Sequence, residues 1–194
     1  MFVALSSLSH NPTAVIGSLA FVVTNPRTDD SVVTHYFKTL DWEQTGRGYN
    51  FKVLQGMLNK SAMARKAVSD LTVPVQAPDA LAAVVRAYNE GECSALWGHA
   101  EDIAILRDAL AQYKIEEPWT EGEIRDIGSV WATILDLGIA PEVTRGPTEP
   151  ADVPLGEAAF MARAVGTVYR GFRETKAPVD RVVQEVAGDN SKGP

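Results

Sequence analysis

The first 23 residues constrain this chain more than any other stretch. Met1 to Ser6 is apolar and rich in small residues, Ala14 to Val23 carries Val15, Ile16, Leu19, Phe21, Val22 and Val23, and Asn11 and Pro12 stand between them as turn formers. The pattern predicts two neighbouring strands, and a hairpin this apolar belongs in the middle of a sheet, where both faces are covered. Val32 to Thr39, with Val33, His35 and Phe37 alternating against Val32, Thr34, Tyr36 and Lys38, predicts a third antiparallel strand.

Helical spacing then takes over. Tyr49 to Leu71 places Phe51, Leu54, Met57, Leu58, Ala64 and Val68 at helical intervals, and Gly56 and Ser61 favour two short helices over one. Pro78 and Asp79 open a helix with Leu81, Val84, Val85 and Tyr88 inward, and Gly91 ends it. Ser94 to Gly98 predicts a short buried strand that runs into a helix with the stripe Ile103, Leu106, Leu110 and Tyr113. A further helix is predicted from Ile127 to Leu137, with Val130, Trp131, Ile134 and Leu135 inward. Four prolines between Ala140 and Pro154 predict an irregular surface loop with few core contacts. Beyond it, Leu155, Ala158, Ala162, Val165, Tyr169 and Phe172 share one helical stripe, and Val179 to Val186 reads as a shorter helix after Pro178.

A chain of 194 residues with 45% hydrophobic residues can bury one sizeable core, so residues 1–187 are read as one domain and 188–194 as a flexible tail. The net charge of -7 and the pI near 5.0 oppose a broad electrostatic footprint for nucleic acid. Cys93 is the single cysteine, which excludes an intrachain disulfide and a multi-cysteine zinc site and suits a reducing, cytoplasmic setting. No apolar run has the length of a membrane span. His10, His35 and His99 lack the spacing of a zinc site, and no phosphate-binding loop, dinucleotide fingerprint or nucleophile elbow is present. Arg145 in the proline loop and Arg163, Arg170 and Arg173 on the last helix could face a phosphate, against the plainer reading of a solvated helix face.

Three stretches together resemble the DEDDh 3'-5' exonucleases of the ribonuclease H-like superfamily, in particular the phage and bacterial exonuclease VIII-like exoribonuclease group. The first is Val3-Ala4-Leu5-Ser6-Ser7-Leu8-Ser9 with Asn11-Pro12-Thr13-Ala14-Val15-Ile16, where the family has hydrophobic-Asp-hydrophobic-Glu before its loop and second strand. The second is Leu96-Trp97-Gly98-His99 with Glu101-Asp102-Ile103-Ala104-Ile105-Leu106-Arg107. The third is Asp152-Val153-Pro154-Leu155-Gly156-Glu157-Ala158-Ala159, where the family has His-Asn-Ala-Leu-Asp-Asp-Ala. The resemblance spans Met1 to Arg173 and implies an α/β, ribonuclease H-like mixed sheet flanked by helices. It also implies a metal-dependent nuclease ancestry and an origin in a phage genome.

The site residues that the resemblance transfers are mostly replaced. Ala4 stands for the Asp that bridges two metal ions, Ser6 for the Glu, Asp152 for the general-base His and Glu157 for the last Asp, while Asp102 is retained. Gly56 and Met57 stand where the family carries a Trp-Trp pair. Two-metal phosphodiester cleavage needs convergent carboxylates to hold the ions that activate water and stabilise the displaced oxygens. An alanine and a serine cannot supply them, and an aspartate with an ordinary pKa of about 3.9 is a far weaker base than histidine near neutrality.

The expectation is therefore a catalytically inactive exonuclease-like protein. It would act as a binding or inhibitor module directed at a host or phage protein, with no required cofactor. Asp102, Asp152 and Glu157 could still hold magnesium or manganese weakly, and Met57, Arg145 and Pro147 mark the expected partner face. The alternatives are a metal-dependent 3'-5' exonuclease with rearranged ligands and a nucleic-acid binder that does not cut. Homo-oligomerisation stays open.

Overall fold

The structure is a computed structural model that describes residues 1–25, 34–70, 73–136, 143–146 and 149–189, with the backbone alone for residues 68 and 172–189. Five strands, β1 (Phe2–Ser7), β2 (Ile16–Val23), β3 (Thr34–Thr39), β4 (Leu96–Gly98) and β5 (Ile124–Asp126), form one sheet in the order β3-β2-β1-β4-β5. β1 pairs antiparallel with β2 and parallel with β4, β2 pairs antiparallel with β3, and β4 pairs parallel with β5. The helices are α1 (Phe51–Leu58), α2 (Ala62–Ser69), α3 (Ala77–Glu90), α4 (Ala100–Gln112), α5 (Ile127–Asp136) and α6 (Pro154–Asp189). The molecule has the expected ribonuclease H-like architecture, an α/β fold with a mixed sheet flanked by helices.

The hairpin read from the sequence is the centre of that sheet. Successive side chains of a strand point to opposite faces, and both faces of β1 are covered. Val3 packs with Leu19, Phe21, Leu81, Val84, Leu106 and Leu110 on the face of α3 and α4. Phe2 and Ala4 pack with Val22, Trp97, Ala158, Met161 and Val165 on the face of α6. Every residue of β2 is buried. β4 lies close against β1 because position 98 is glycine. A Cβ there would come within 3.1 Å of both Val3 Cγ1 and the Val3 carbonyl oxygen.

Several expectations are corrected. β5 is a strand that apolar patterning does not announce. It is three residues long, and two of the three, Arg125 and Asp126, are charged. α6 continues through Pro178 to Asp189 instead of breaking into two helices, and so includes the first residues of the expected tail. A proline removes one helical hydrogen bond without ending the helix when its neighbours sustain the backbone. Leu135 points outward because the inward stripe of α5 is carried by Ile127 and Ile134, and Phe51 and Leu58 of α1 are exposed as well. The expected strand residues Val32 and Val33 lie outside the described residues.

The connection from β3 to α1 is held by two polar side chains. Gln44 accepts from Ile16 N–H at 3.0 Å and donates to the carbonyls of Ile16 and Asp41, closing the end of β2 in a buried setting. The Arg47 guanidinium has no exposed side-chain surface. It donates to the Ala14 carbonyl at 2.6 Å, the Pro12 carbonyl at 2.7 Å and Asp108 Oδ2 at 2.8 Å, tying the hairpin turn to α4. Removing one partner of such a network leaves several polar groups unsatisfied. Arg47→Ala is expected to lose about 3 kcal/mol of unfolding free energy, measured by urea denaturation, and a loss below about 1 kcal/mol would mean that Arg47 is not the clamp described.

Candidate functional site

A cleft of about 370 Å³ opens where β1 ends and α4 and α6 begin, lined by Ser6, Ser7, His99, Asp102, Asp152 and Glu157 among others. The fold delivers these side chains from three separate elements. β1 runs toward the cleft and carries a bulge between Ser6 and Ser7, and a bulge re-aims successive side chains at a strand end. β4 stops at Gly98, so α4 starts beside the end of β1 with Asp102 in its first turn. α6 starts at Pro154 with Glu157 in its own first turn.

Asp102 replaces a missing strand neighbour. Its Oδ2 accepts the Leu5 N–H at 3.2 Å, a backbone donor beyond the point where β4 has ended. Burial pushes its carboxyl up to about 7, against the opposing pull of the Leu5 hydrogen bond and of His99. Asp126, at the end of β5, holds the starts of two helices together. It accepts from Ala100 N–H of α4 at 3.1 Å and from Gly128 and Ser129 N–H of α5 at 3.2 and 3.0 Å. The Ser129 hydroxyl bond leads the contacts that keep its carboxyl below the usual range. Sequence reading missed this double capping role, whose only trace is an acid one residue before a helix start.

Glu157 is fully engaged. Its Oε2 accepts from Arg145 Nη2 at 2.6 Å, and its Oε1 lies 3.2 Å from His99 Nε2. Burial alone would raise Glu157, but hydrogen bonds from His99 and Arg145 outweigh it and hold the carboxyl below its ordinary range. The Glu157 hydrogen bond in turn raises the His99 imidazole above its ordinary value.

Arg145 also stacks on Phe160, with its guanidinium carbon 4.0 Å from the ring centroid. The described part of the proline loop is thus strapped to α6. Arg163 pairs with Glu149 at 2.8 Å from Nε and donates to the Thr144 carbonyl at 2.6 Å, and Glu149 is buried. Glu149 thus gives the loop a buried anchor where few core contacts were expected, and Arg145 and Arg163, both exposed, are engaged in ion pairs with Glu157 and Glu149. Gly156 is part of the same arrangement. A Cβ at 156 would come within 2.5 Å of the Pro150 carbonyl oxygen, so a second carboxylate in the family's manner has no room.

The expected site residues are therefore brought together unevenly. Ser6, Asp102, Asp152 and Glu157 line one cleft with Met57, and Arg145 reaches into it through Glu157. Ala4 lies behind it in the apolar cluster with Ala158. Pro147 lies outside the described residues. As placed, Asp102 and Glu157 do not offer a hard divalent cation the free, charged oxygens that it needs. The Glu157 oxygens are engaged by Arg145 and by His99, Asp102 holds a backbone amide and favours its proton up to about pH 7, and Ser6 is neutral. Among the described residues, no group of three His, Cys, Asp or Glu side chains is arranged to hold a metal ion. Nor, among the described residues, is any helix long and apolar enough to cross a membrane. No protein-family model and no curated protein matches the chain.

The raised Asp102 carboxyl has a thermodynamic consequence. Between the ordinary value near 3.9 and its folded value of about 7, the folded chain holds more protons than the unfolded chain, so the contribution of Asp102 to stability falls as pH rises through this window. Asp102→Asn keeps an acceptor for the Leu5 N–H and cannot ionise. Compared with the parent chain, it is expected to gain about 2 kcal/mol on going from pH 4 to pH 8, allowing for solvent screening in the open cleft. Urea unfolding at the two pH values measures this, and equal pH dependence in both proteins would contradict it.

Proposed function

We propose that this chain is a relative of the DEDDh exonucleases that has lost the ability to cut and serves as a binding module for a protein partner, acting as an inhibitor or adaptor. The observation that carries this reading is the state of Glu157. In a metal-dependent nuclease the corresponding carboxylate must face cations with free oxygens, whereas here Arg145 and His99 occupy both oxygens. Lost chemistry at the other positions supports the same reading. The Ala4 methyl is a member of an apolar cluster, Ser6 contributes a hydroxyl, and Asp152 replaces a histidine base. Retention of the sheet order and of the cleft without its ligands is what a fold kept for recognition would display, since function resides in sites grafted on folds. The phage origin and a host or phage protein as target follow from the resemblance and belong to the same proposal.

The test is digestion of end-labelled single- and double-stranded DNA and RNA with magnesium or manganese. The expected result is no shortening above the level of a mock purification, because the charge stabilisation that two metal ions supply is missing. Digestion that tracks the protein and disappears in an Asp102→Asn, Glu157→Gln double variant would overturn the proposal in favour of a nuclease with rearranged ligands.

A further inference from the structure

The chain is acidic overall, yet one surface is not. Of 18 Lys and Arg and 25 Asp and Glu, four basic residues and one acidic residue lie between Tyr49 and Asp70, a net +3, so the other residues together carry -10. Lys52, Lys60, Arg65 and Lys66 supply the four, and all are exposed. Lys66 lies 3.8 Å from Asp70, and among the described residues no carboxylate pairs with Lys52, Lys60 or Arg65.

The same surface carries a concentration of exposed large apolar side chains. Tyr49 is 66% exposed, Phe51 70%, Met63 60% and Leu58 43%. Phe51, Gln55 and Leu58 follow one another at helical spacing on the outer stripe of α1, while Leu54 and Met57 on the other side pack against Leu8 and Val15. No residue of α1 is fully buried, so a helix with this much apolar surface presents most of it to its surroundings. Lys60 and Met57 also line the cleft, which makes the face continuous with it.

We propose that the outer face of α1 and α2 is the docking surface for an acidic segment of a partner protein, a stretch rich in Glu or Asp that carries at least two large apolar side chains. This rests on the binding-module reading and names the chemistry of its partner. Charge complementarity selects an acidic occupant, because unpaired surface cations steer and orient an anionic partner. Exposed Tyr, Phe and Met are the side chains that interface centres favour, and burying them involves no loss of charge hydration. A short peptide segment suits the patch better than a polynucleotide. The cationic surface covers only two short helices within an acidic molecule, so a longer strand would run onto repelling surface, and beyond Tyr49 and Phe51 the exposed apolar side chains, Leu58 and Met63, offer bases no stacking face.

Selection of displayed random 16-residue peptides against the full-length protein tests the assignment. The enriched sequences are expected to be net acidic with two or more large apolar residues. Their affinity should fall at least tenfold in the Phe51→Ser, Leu58→Ser pair and in the Lys52→Glu, Lys60→Glu pair, with Arg86→Glu, an exposed cation on α3, changing it less than twofold. Unfolding curves of all variants are the control for an intact fold, and unchanged midpoints are expected because the substituted side chains are exposed. Absence of enrichment, enrichment of neutral or basic peptides, or affinity insensitive to both pairs would overturn the proposal. So would a 20-nucleotide oligothymidylate that binds more tightly than the peptides and depends on the same residues, which would assign the face to single-stranded nucleic acid. The outcome is separate from the digestion assay. Nuclease activity would remove the inactive-enzyme reading, whereas the peptide arms report on this face alone.

Discussion

β1 is the constraint on which the rest depends. Among the described residues it is the only strand that pairs antiparallel on one side and parallel on the other, and its two faces feed two separate apolar clusters. A strand so placed fixes the positions of α3 and α4 on one face and of α6 on the other. Its end then becomes the point to which both helix layers bring their first turns. The cleft is a consequence of this geometry: β4 stops short at Gly98, the Leu5 N–H is left beyond it, and Asp102 fills the gap. The acid that most resembles a catalytic one thus has a structural task, completing the hydrogen bonding of a buried strand end.

Charge compensation within the cleft follows from the same crowding. Asp102 and Glu157 stand in one cleft at two helix starts, and each meets the loss of water there differently. Asp102 favours its protonated form, and Glu157 recruits Arg145 and His99. The strap that supplies Arg145 is itself fastened by Arg163 to Glu149 and fits only because position 156 has no side chain. Closing the cleft by internal ion pairs and opening it to metal ions are alternative uses of one carboxylate. The loop sequence of this chain supports the first.

How much of this could be read from the sequence depends on the range of the interaction. The hairpin, the two short helices, α3 and the β4-to-α4 unit were legible because alternation and helical periodicity are local consequences of burial on one or two faces. β5 was not, since a three-residue strand with Arg125 and Asp126 carries no period. The continuity of α6 was hidden by Pro178, a local breaker that the surrounding helix overrides. Gln44 and Arg47 carry no signal of their clamping role, because most of what they bind lies 28 to 65 positions away. The gathering of Ser6, Asp102, Asp152 and Glu157 was legible only through the resemblance. The pairing of Glu157 with Arg145 was not, because nothing in a proline-rich loop says which way an arginine turns.

The central claim is that internal contacts occupy the Asp102 and Glu157 carboxylates that a metal ion would need, and manganese binding tests it most directly. Electron paramagnetic resonance of free manganese during titration with the protein at pH 7.5 should show no saturable binding up to about 1 mM, a level at which even weak oxygen-ligand sites fill. Depletion of free manganese with a stoichiometry of one or two ions per chain, abolished by Asp102→Asn with Glu157→Gln, would contradict the account.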